Sequence, residues 1–197
     1  MEKCRTKEQI LDVALDLFSV QGFEATSISQ IVDAVGIRKA SLYSHFGSKQ
    51  EILEALIKEA GRMFDENSLF KKVQWRNFDS NTDWVNELKE HVKYILHDDR
   101  IKKVRKFLVI EQFINPELAR IQTERSFENV MAFGIAMVKD LGEKGFLIQD
   151  DPKILASQFV LPISMWINLV DRDPEREEEV LELIDEHMHQ FFKVYGK

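Results

Sequence analysis

Two short amphipathic segments on either side of Gly36 constrain the fold more than any other feature of the chain. Ser27 and Gln30 have the spacing of a capping box, which marks the start of a helix. Gly36 follows that helix, where a residue without a side chain permits a tight turn. Leu42 and Phe46 lie four residues apart, so the next helix has one apolar side. Two short helices joined by a glycine turn predict a helix-turn-helix.

A longer helix is predicted before this pair. Ile10, Ala14, Leu17 and Phe18 recur at helical spacing and form one apolar stripe. Gly22 follows the stripe, where a glycine of positive φ commonly ends a helix. Three helices in this order make a DNA-binding domain whose third helix lies in the major groove.

The predicted third helix begins with two cations that are badly placed for stability. Arg38 and Lys39 lie at its N-terminal end, where the helix macrodipole is positive and each exposed cation costs about 0.3–1 kcal/mol. DNA phosphate or a guanine edge would offset that cost. Tyr43, His45 and Lys49 follow on the same side, which favours a DNA-binding surface. The alternative is a solvated basic turn in a helical bundle that binds nothing.

A gap-free run of motif residues extends from Thr6 to about Ile57. Its members are Phe18, Gly22-Phe23, Thr26-Ser27, Gly36-Ile37, Leu42-Tyr43, His45-Phe46 and Lys49. This run resembles the DNA-binding domain of the tetracycline-repressor (TetR) family of bacterial regulators.

The resemblance implies DNA contacts for particular residues of the run. Phosphate contacts are implied for Thr26, Tyr43, His45 and Lys49. Base reading is implied for Arg38, Lys39, Ala40 and Ser44. Ser27 and Ser41 complete the predicted DNA-binding set. Two positions depart from the family's common pattern, because Arg38 replaces a frequent Ser or Thr and Ala40 a frequent Gly.

The net charge of −7 does not argue against DNA binding, because the excess of acidic over basic side chains lies outside the first fifty residues. Residues 1–50 hold six basic and six acidic side chains. The electric field near DNA depends on how the charges are arranged locally and not on the net charge of the chain.

Cys4 is the single cysteine, which excludes an internal disulfide and indicates a reducing compartment. With no apolar run of membrane-spanning length and no signal region, we expect a cytoplasmic protein that does not enter the membrane.

The rest of the chain also reads as helices, with no confident strand. Asn115, Asp151 and Asp173 each precede a proline, which predicts an Asx N-cap followed by proline at the first helical position. Pro162 lies within an apolar stretch, where it should bend the helix or begin a new turn. Helices are expected near 4–20, 27–35, 38–45, 48–65, 82–97, 100–114, 116–144, 152–171 and 174–195, with 66–81 uncertain.

The predicted fold is therefore all-α, in two domains. Residues 1–50 form a three-helix helix-turn-helix domain, and residues 51–197 a helical ligand-binding and dimerisation domain. The last two helices carry wider apolar surfaces than one buried stripe needs, which favours pairing with a second copy over simple burial. The resemblance also implies a homodimer through these helices. The predicted interface residues are Phe159, Ile163, Trp166, Ile184, Met188 and Phe191.

Aromatic residues of the middle region suit either an apolar ligand pocket or an ordinary core, and for any single one the core is the more common role. The predicted pocket comprises Phe64, Trp84, Phe107, Phe113 and Phe127. The resemblance implies that a small-molecule inducer, here an apolar one, binds between these helices and releases DNA.

No catalytic or metal-ligating set is recognisable, and no cofactor is expected. His187 and His189 are two apart on a helix and so point to different faces. The glycines are scattered singly and form no phosphate-binding loop. The predicted function is a ligand-responsive dimeric repressor that binds a near-palindromic operator in double-stranded DNA. The alternative is an all-helical small-molecule-binding protein whose helix-turn-helix does not bind DNA.

Overall fold

The regular structure of the protein is helical. The computed structural model describes the backbone of residues 2–66 and 80–197, and the side chains of residues 5–59, 80 and 82–197. Within these ranges an isolated bridge between Leu147 and Gly196 is the sole β pairing. The α-helices are α1 (Glu2–Ala25), α2 (Ile28–Val35), α3 (Lys39–Tyr43), α4 (Lys49–Glu66), α5 (Asn81–His97), α6 (Asp99–Glu111), α7 (Pro116–Thr123), α8 (Asn129–Glu143), α9 (Pro152–Arg172) and α10 (Glu177–Tyr195). The predicted all-α fold is confirmed. The uncertain segment 66–81 falls almost wholly outside the described residues.

Two of the three predicted Asx caps are confirmed by their hydrogen bonds. The Asn115 side-chain oxygen accepts from the Leu118 N–H at 3.3 Å at the start of α7. Asp151 accepts from the Lys153 N–H at 2.8 Å at the start of α9. Asp173 precedes a 3₁₀ turn (Pro174–Arg176) that leads into α10. The side chains of Asn115 and Asp151 satisfy N–H groups that a helix start leaves without a partner, whereas Asp173 makes no side-chain cap hydrogen bond.

The helix predicted over 116–144 is divided by a local change of winding. α7 ends at Thr123, a π-helical turn occupies Glu124–Glu128, and α8 continues from Asn129. α9 runs through Pro162 without ending, so no new helix begins there, and the predicted bend stays a prediction. One turn earlier, the His187 Nε2 donates to the Phe159 carbonyl oxygen at 2.9 Å.

The chain divides into two compact units. The first unit comprises Met1–Glu66 and Arg100–Gln122, and the second comprises Asn67–Asp99 and Thr123–Lys197. α4 and most of α6 therefore cluster with the helix-turn-helix. The sequence predicted a domain boundary after residue 50. Clustering into compact units does not test that boundary, which stays a prediction.

The core of the first unit joins the helix-turn-helix to helix α6. Phe18 of α1 stacks on Phe107 of α6, with 5.7 Å between ring centroids. Phe23 meets Phe18 edge-on at 5.4 Å. Leu108 of α6 and Leu118 of α7 are buried in the same cluster. The helix-turn-helix is thus packed on residues some eighty positions further along the chain.

The core of the second unit is built around Phe159 of α9. Its ring packs edge-on against Phe191 at 4.7 Å and against Trp84 at 6.4 Å. Gly134 of α8 permits the close approach of α9, because a Cβ there would lie 2.9 Å from Val160. α5, α8, α9 and α10 all contribute to this cluster.

Helix α9 is more apolar than the sequence reading allowed for. Among the described residues, Pro152–Arg172 is the one helix long and apolar enough to cross a bilayer, with a mean hydropathy of 1.4 over its best window. Such a window also arises when a helix places one side in a protein core. Phe159 and Ile163 are buried in this way, while Ile154 and Met165 are exposed.

Candidate nucleic-acid interface

The turn between α2 and α3 is held by local hydrogen bonds. Ser27 and Gln30 form the predicted capping box, in which each side chain accepts from the backbone N–H of the other residue, at 3.2 and 2.8 Å. Gly36 adopts φ 77° and ψ 32°, the left-handed conformation that glycine accepts without strain. Its N–H donates to the Val32 carbonyl oxygen at 2.9 Å. The sequence signals for this turn are therefore confirmed.

Helix α3 presents basic and phenolic groups to solvent. Leu42 and Phe46 anchor it, since both are buried in the core of the first unit. Arg38 and Lys39 are exposed, and Tyr43 keeps 51% of its surface accessible. The side chains of these three residues form no hydrogen bond or ion pair with other described residues. Their donors are consequently available to a partner.

The other predicted DNA-binding residues in and just after α3 differ in their exposure. Ala40 and Ser44 are exposed, whereas Ser41 and His45 are half-buried. The Ser44 hydroxyl donates to the Ser41 carbonyl oxygen at 2.7 Å. Ser27 is exposed but is occupied as the cap of α2.

Thr26 lies inside the protein in this conformation. Its side chain is buried, and its hydroxyl donates to the Gly22 carbonyl oxygen at 2.8 Å. The Thr26 hydroxyl oxygen in turn accepts from the Gln21 side-chain amide at 3.0 Å. A phosphate contact by Thr26 stays a prediction, and it would compete with these internal bonds.

Lys49 has a structural role that sequence reasoning did not foresee. Its ammonium group donates to the carbonyl oxygens of Phe23 at 2.6 Å and Thr26 at 2.9 Å. It also lies 4.1 Å from the centroid of the Phe23 ring. A cation near the last carbonyls of a helix satisfies exposed acceptors and the negative end of the macrodipole. The predicted phosphate contact of Lys49 remains a prediction.

Two acidic side chains of α1 pair with cations of helix α6. Asp12 lies 3.4 Å from the Arg100 guanidinium, which also pairs with Glu59 of α4 at 2.8 Å. Asp16 pairs with Lys103. These ion pairs place α1 carboxylates against α6 cations, which reduces the acidic field of the first unit.

Glu111 is a further residue that the sequence did not identify. It is the last residue of α6, only 3% exposed, and its carboxylate accepts from the Phe23 N–H at 2.7 Å. The two residues are separated by 88 positions. A glutamate near a helix end gives no sign of such a distant partner.

The residues predicted for a ligand pocket do not share one environment. The Phe64 side chain lies outside the described residues. Trp84 belongs to the core of the second unit and Phe107 to the core of the first. Phe113 and Phe127 are exposed. Core packing, the alternative role, therefore accounts for Trp84 and Phe107.

Most residues predicted for a dimer interface are buried within their own unit. Phe159, Ile163, Ile184, Met188 and Phe191 all belong to the core of the second unit. They are not available to a second copy in this conformation. Trp166 is half-buried and contacts the His187 ring edge-on at 5.4 Å. A homodimer remains a prediction, and its contacts would have to come from other residues of α9 and α10.

The described residues offer no metal site. No three His, Cys, Asp or Glu side chains in this part of the chain group closely enough to hold an ion.

Residues 10–56 match the family model for bacterial regulatory proteins of the tetR family. The chain is 46% identical over 52 residues to IcaR, the negative transcriptional regulator of the icaADBC biofilm operon in Staphylococcus aureus, covering 26% of this chain and 28% of that protein. It is 26% identical over 155 residues to the transcriptional regulator AcrR of Shigella flexneri, covering 78% of this chain and 62% of that protein. Residues 10–56 of this chain thus belong to the TetR family. The family is one of regulators and not of enzymes.

The likeness to a solved structure extends beyond the matched N-terminal residues. A transcriptional regulator from Saccharomonospora viridis, solved in complex with choline, superposes with a TM-score of 0.70 at 17% identity, covering 98% of this chain and 99% of that one. A likeness at this identity shows a shared fold alone. The match to IcaR spans little more than a quarter of that protein's length.

Lys39 is exposed to solvent whereas Lys49 donates to backbone carbonyl oxygens, and this difference gives a prediction about stability. We expect Lys49→Met to lower the free energy of unfolding by about 1–3 kcal/mol, because buried carbonyl oxygens lose a charged donor. Lys39→Ala should change it by no more than about 0.5 kcal/mol, and should stabilise if anything, because it removes a cation from a helix N-terminus. Urea unfolding followed by circular dichroism measures both. Equal effects for the two variants would contradict the structural role of Lys49.

Proposed function

We propose that this TetR-family protein is a DNA-binding transcriptional repressor that acts in the cytoplasm as a homodimer and is released from its operator by a small apolar molecule. The observation that carries DNA binding is the set of exposed side chains on α3. Arg38, Lys39 and Tyr43 project from a helix whose opposite side is anchored by Leu42 and Phe46. Repression is supported by the likeness to IcaR, which is a negative regulator.

Binding by α3 would combine two kinds of contact. Arg38 and Lys39 stand at the N-terminal end of the helix, the end from which reading helices commonly reach base edges. The Tyr43 hydroxyl and the partly exposed His45 are suited to phosphate oxygens. Arg38 can donate two parallel hydrogen bonds to the edge of a guanine. Ala40 has a small apolar side chain that can meet a thymine methyl group.

Lys39→Ala and Tyr43→Phe test this surface. If each residue contacts phosphate, each variant should weaken operator binding, and Lys39→Ala should reduce the magnitude of the log–log salt slope by about 2, one contact in each of two subunits. If Lys39 reads a base, the slope should change little and discrimination between operator and scrambled DNA should fall. Fluorescence anisotropy across a range of salt concentrations, with DNA from upstream of the protein's own gene, separates the two.

Lys103→Met is a suitable control for this titration, because it removes a cation that already pairs with Asp16. Its salt slope should match that of the unmodified protein. DNA from other promoters is tested if the first fragment is not bound selectively. Feeble binding of every DNA at low salt would contradict the proposed function and favour the alternative, a helical small-molecule-binding protein whose helix-turn-helix does not bind DNA.

We place the dimer contact on the exposed side of α9. Ile154, Leu161 and Met165 recur there at spacings of seven and four, so they lie along one side of the helix. Ile154 and Met165 are exposed, and Leu161 is half-buried. The same residues account for the high hydropathy of α9 without requiring a membrane. A twofold dimer would place two copies of α3 in successive major grooves, about 34–36 Å apart, and so require a near-palindromic operator.

Met165→Glu tests this face. Met165 is 62% exposed, so the change should not disturb the fold, whereas a charge at the centre of an apolar contact should shift the protein towards monomer. Phe127→Glu is the matched control, since Phe127 is 53% exposed but lies outside α9 and α10. Sedimentation velocity at micromolar concentration measures the mass. A Met165→Glu protein that remains dimeric would exclude this face.

The proposed inducer acts by shifting a population between DNA-binding and released conformations. A ligand can do so only if it prefers the released state. The aromatic core of the second unit favours an apolar compound, whereas the Saccharomonospora viridis protein holds choline, an organic cation. An inducer should weaken operator binding when titrated into the complex. A compound that binds tightly and leaves operator affinity unchanged is not an inducer.

A further inference from the structure

A break in helix α1 leaves one backbone group in need of a partner. Gly22 has φ 81° and ψ 170°, a conformation open essentially to glycine alone. Because ψ of Gly22 sets the orientation of the next peptide group, the Phe23 N–H turns away from the hydrogen-bond ladder of the helix. A buried N–H without an acceptor is costly, so the break requires an acceptor from elsewhere.

Glu111 supplies that acceptor from outside the helix-turn-helix. Its Oε1 lies 2.7 Å from the Phe23 nitrogen. A Cβ at Gly22 would come within 3.0 Å of the same oxygen, so the absence of a side chain at Gly22 also makes room for the carboxylate. The glutamate is itself buried at the end of α6, whose Phe107 stacks on Phe18 of α1.

Two other side chains complete the hydrogen bonding of the break. The Thr26 hydroxyl donates to the Gly22 carbonyl oxygen, and Lys49 donates to the Phe23 carbonyl oxygen. The chain then leaves the break through Ala25 and enters the capping box of α2 at Ser27. The direction of α2, and with it that of α3, follows from the conformation of these few residues.

We propose that Glu111 is a positioning residue for DNA recognition, which holds the Gly22 break and so fixes the orientation of the reading helix. This proposal rests on the proposed function of α3. Glu111 touches no DNA. It acts through the Phe23 N–H, and it makes the end of α6 part of the apparatus that determines operator affinity.

An electrostatic role for Glu111 would have the opposite consequences. If the carboxylate mattered only through its negative charge, Glu111→Gln would strengthen DNA binding and Glu111→Asp would leave it unchanged. If it matters as an acceptor, Gln keeps an oxygen at the same reach and preserves binding. Asp keeps the charge but withdraws the oxygen by one methylene, and impairs binding.

The test compares Glu111→Gln, Glu111→Asp and Glu111→Met in operator titrations at fixed salt. We expect Glu111→Gln to bind within about threefold of the unmodified protein. Glu111→Asp and Glu111→Met should bind about tenfold more weakly or worse, the scale set by leaving a buried N–H without its acceptor. Hydrogen exchange followed by NMR should show faster exchange of the Phe23 amide in the same two variants.

Lys103→Met is the matched control, because it removes another contact between α6 and α1 that is partly exposed to solvent. It should leave operator affinity within about twofold. If Glu111→Met does not fold, Glu111→Asp decides. Operator affinity equal to that of the unmodified protein in Glu111→Asp, or an equal loss in Glu111→Gln and Glu111→Asp, would overturn the positioning role.

The two proposals fail in different ways. If the unmodified protein binds no DNA, the proposed function is excluded, and the exchange rate of the Phe23 amide still decides whether Glu111 holds the break. An unchanged rate in Glu111→Asp would overturn that role as well. If the unmodified protein binds its operator and only the Glu111 variants behave unexpectedly, the error lies in the positioning role alone.

Discussion

The arrangement of the DNA-binding helices depends on how the backbone is satisfied at Gly22. The positive φ of that residue redirects α1, and the redirected peptide groups would be costly if buried without partners. Glu111 accepts from the freed N–H, and Lys49 donates to the Phe23 carbonyl oxygen that follows. Because the partners come from α4 and α6, the break is held by the packed first unit and not by α1 alone.

This arrangement explains why a chain of net charge −7 can present a basic reading helix. The carboxylates of Asp12 and Asp16 are paired with cations of α6. Arg38 and Lys39 have no such partners among the described residues, so their charge is directed to solvent. Because the α1 carboxylates are paired and the cations of the reading helix are not, the surface around that helix is basic although the net charge of the chain is negative.

The sequence predicted those features that depend on neighbours within a few residues. The capping box of Ser27 and Gln30 and the turn at Gly36 are of this kind, and both are confirmed. Glu111 could not be predicted, because its partner lies 88 positions away and is a backbone group with no signature. The wide apolar surface of α10 was equally ambiguous, since burial of Phe191 in its own core and contact with a second copy demand the same residue type.

Helix α3 is too short to be stable by itself, because a helix of five residues barely exceeds its costly nucleus. Its stability must come from burial of Leu42 and Phe46, each worth about 1.5–3 kcal/mol. That exceeds the cost of about 0.3–1 kcal/mol for each cation at its N-terminal end. The reading surface can therefore carry unfavourable charges without losing its shape, provided that the anchors stay fixed. Fixing the anchors requires the core around Phe18, and that core includes Phe107 of the helix that ends in Glu111.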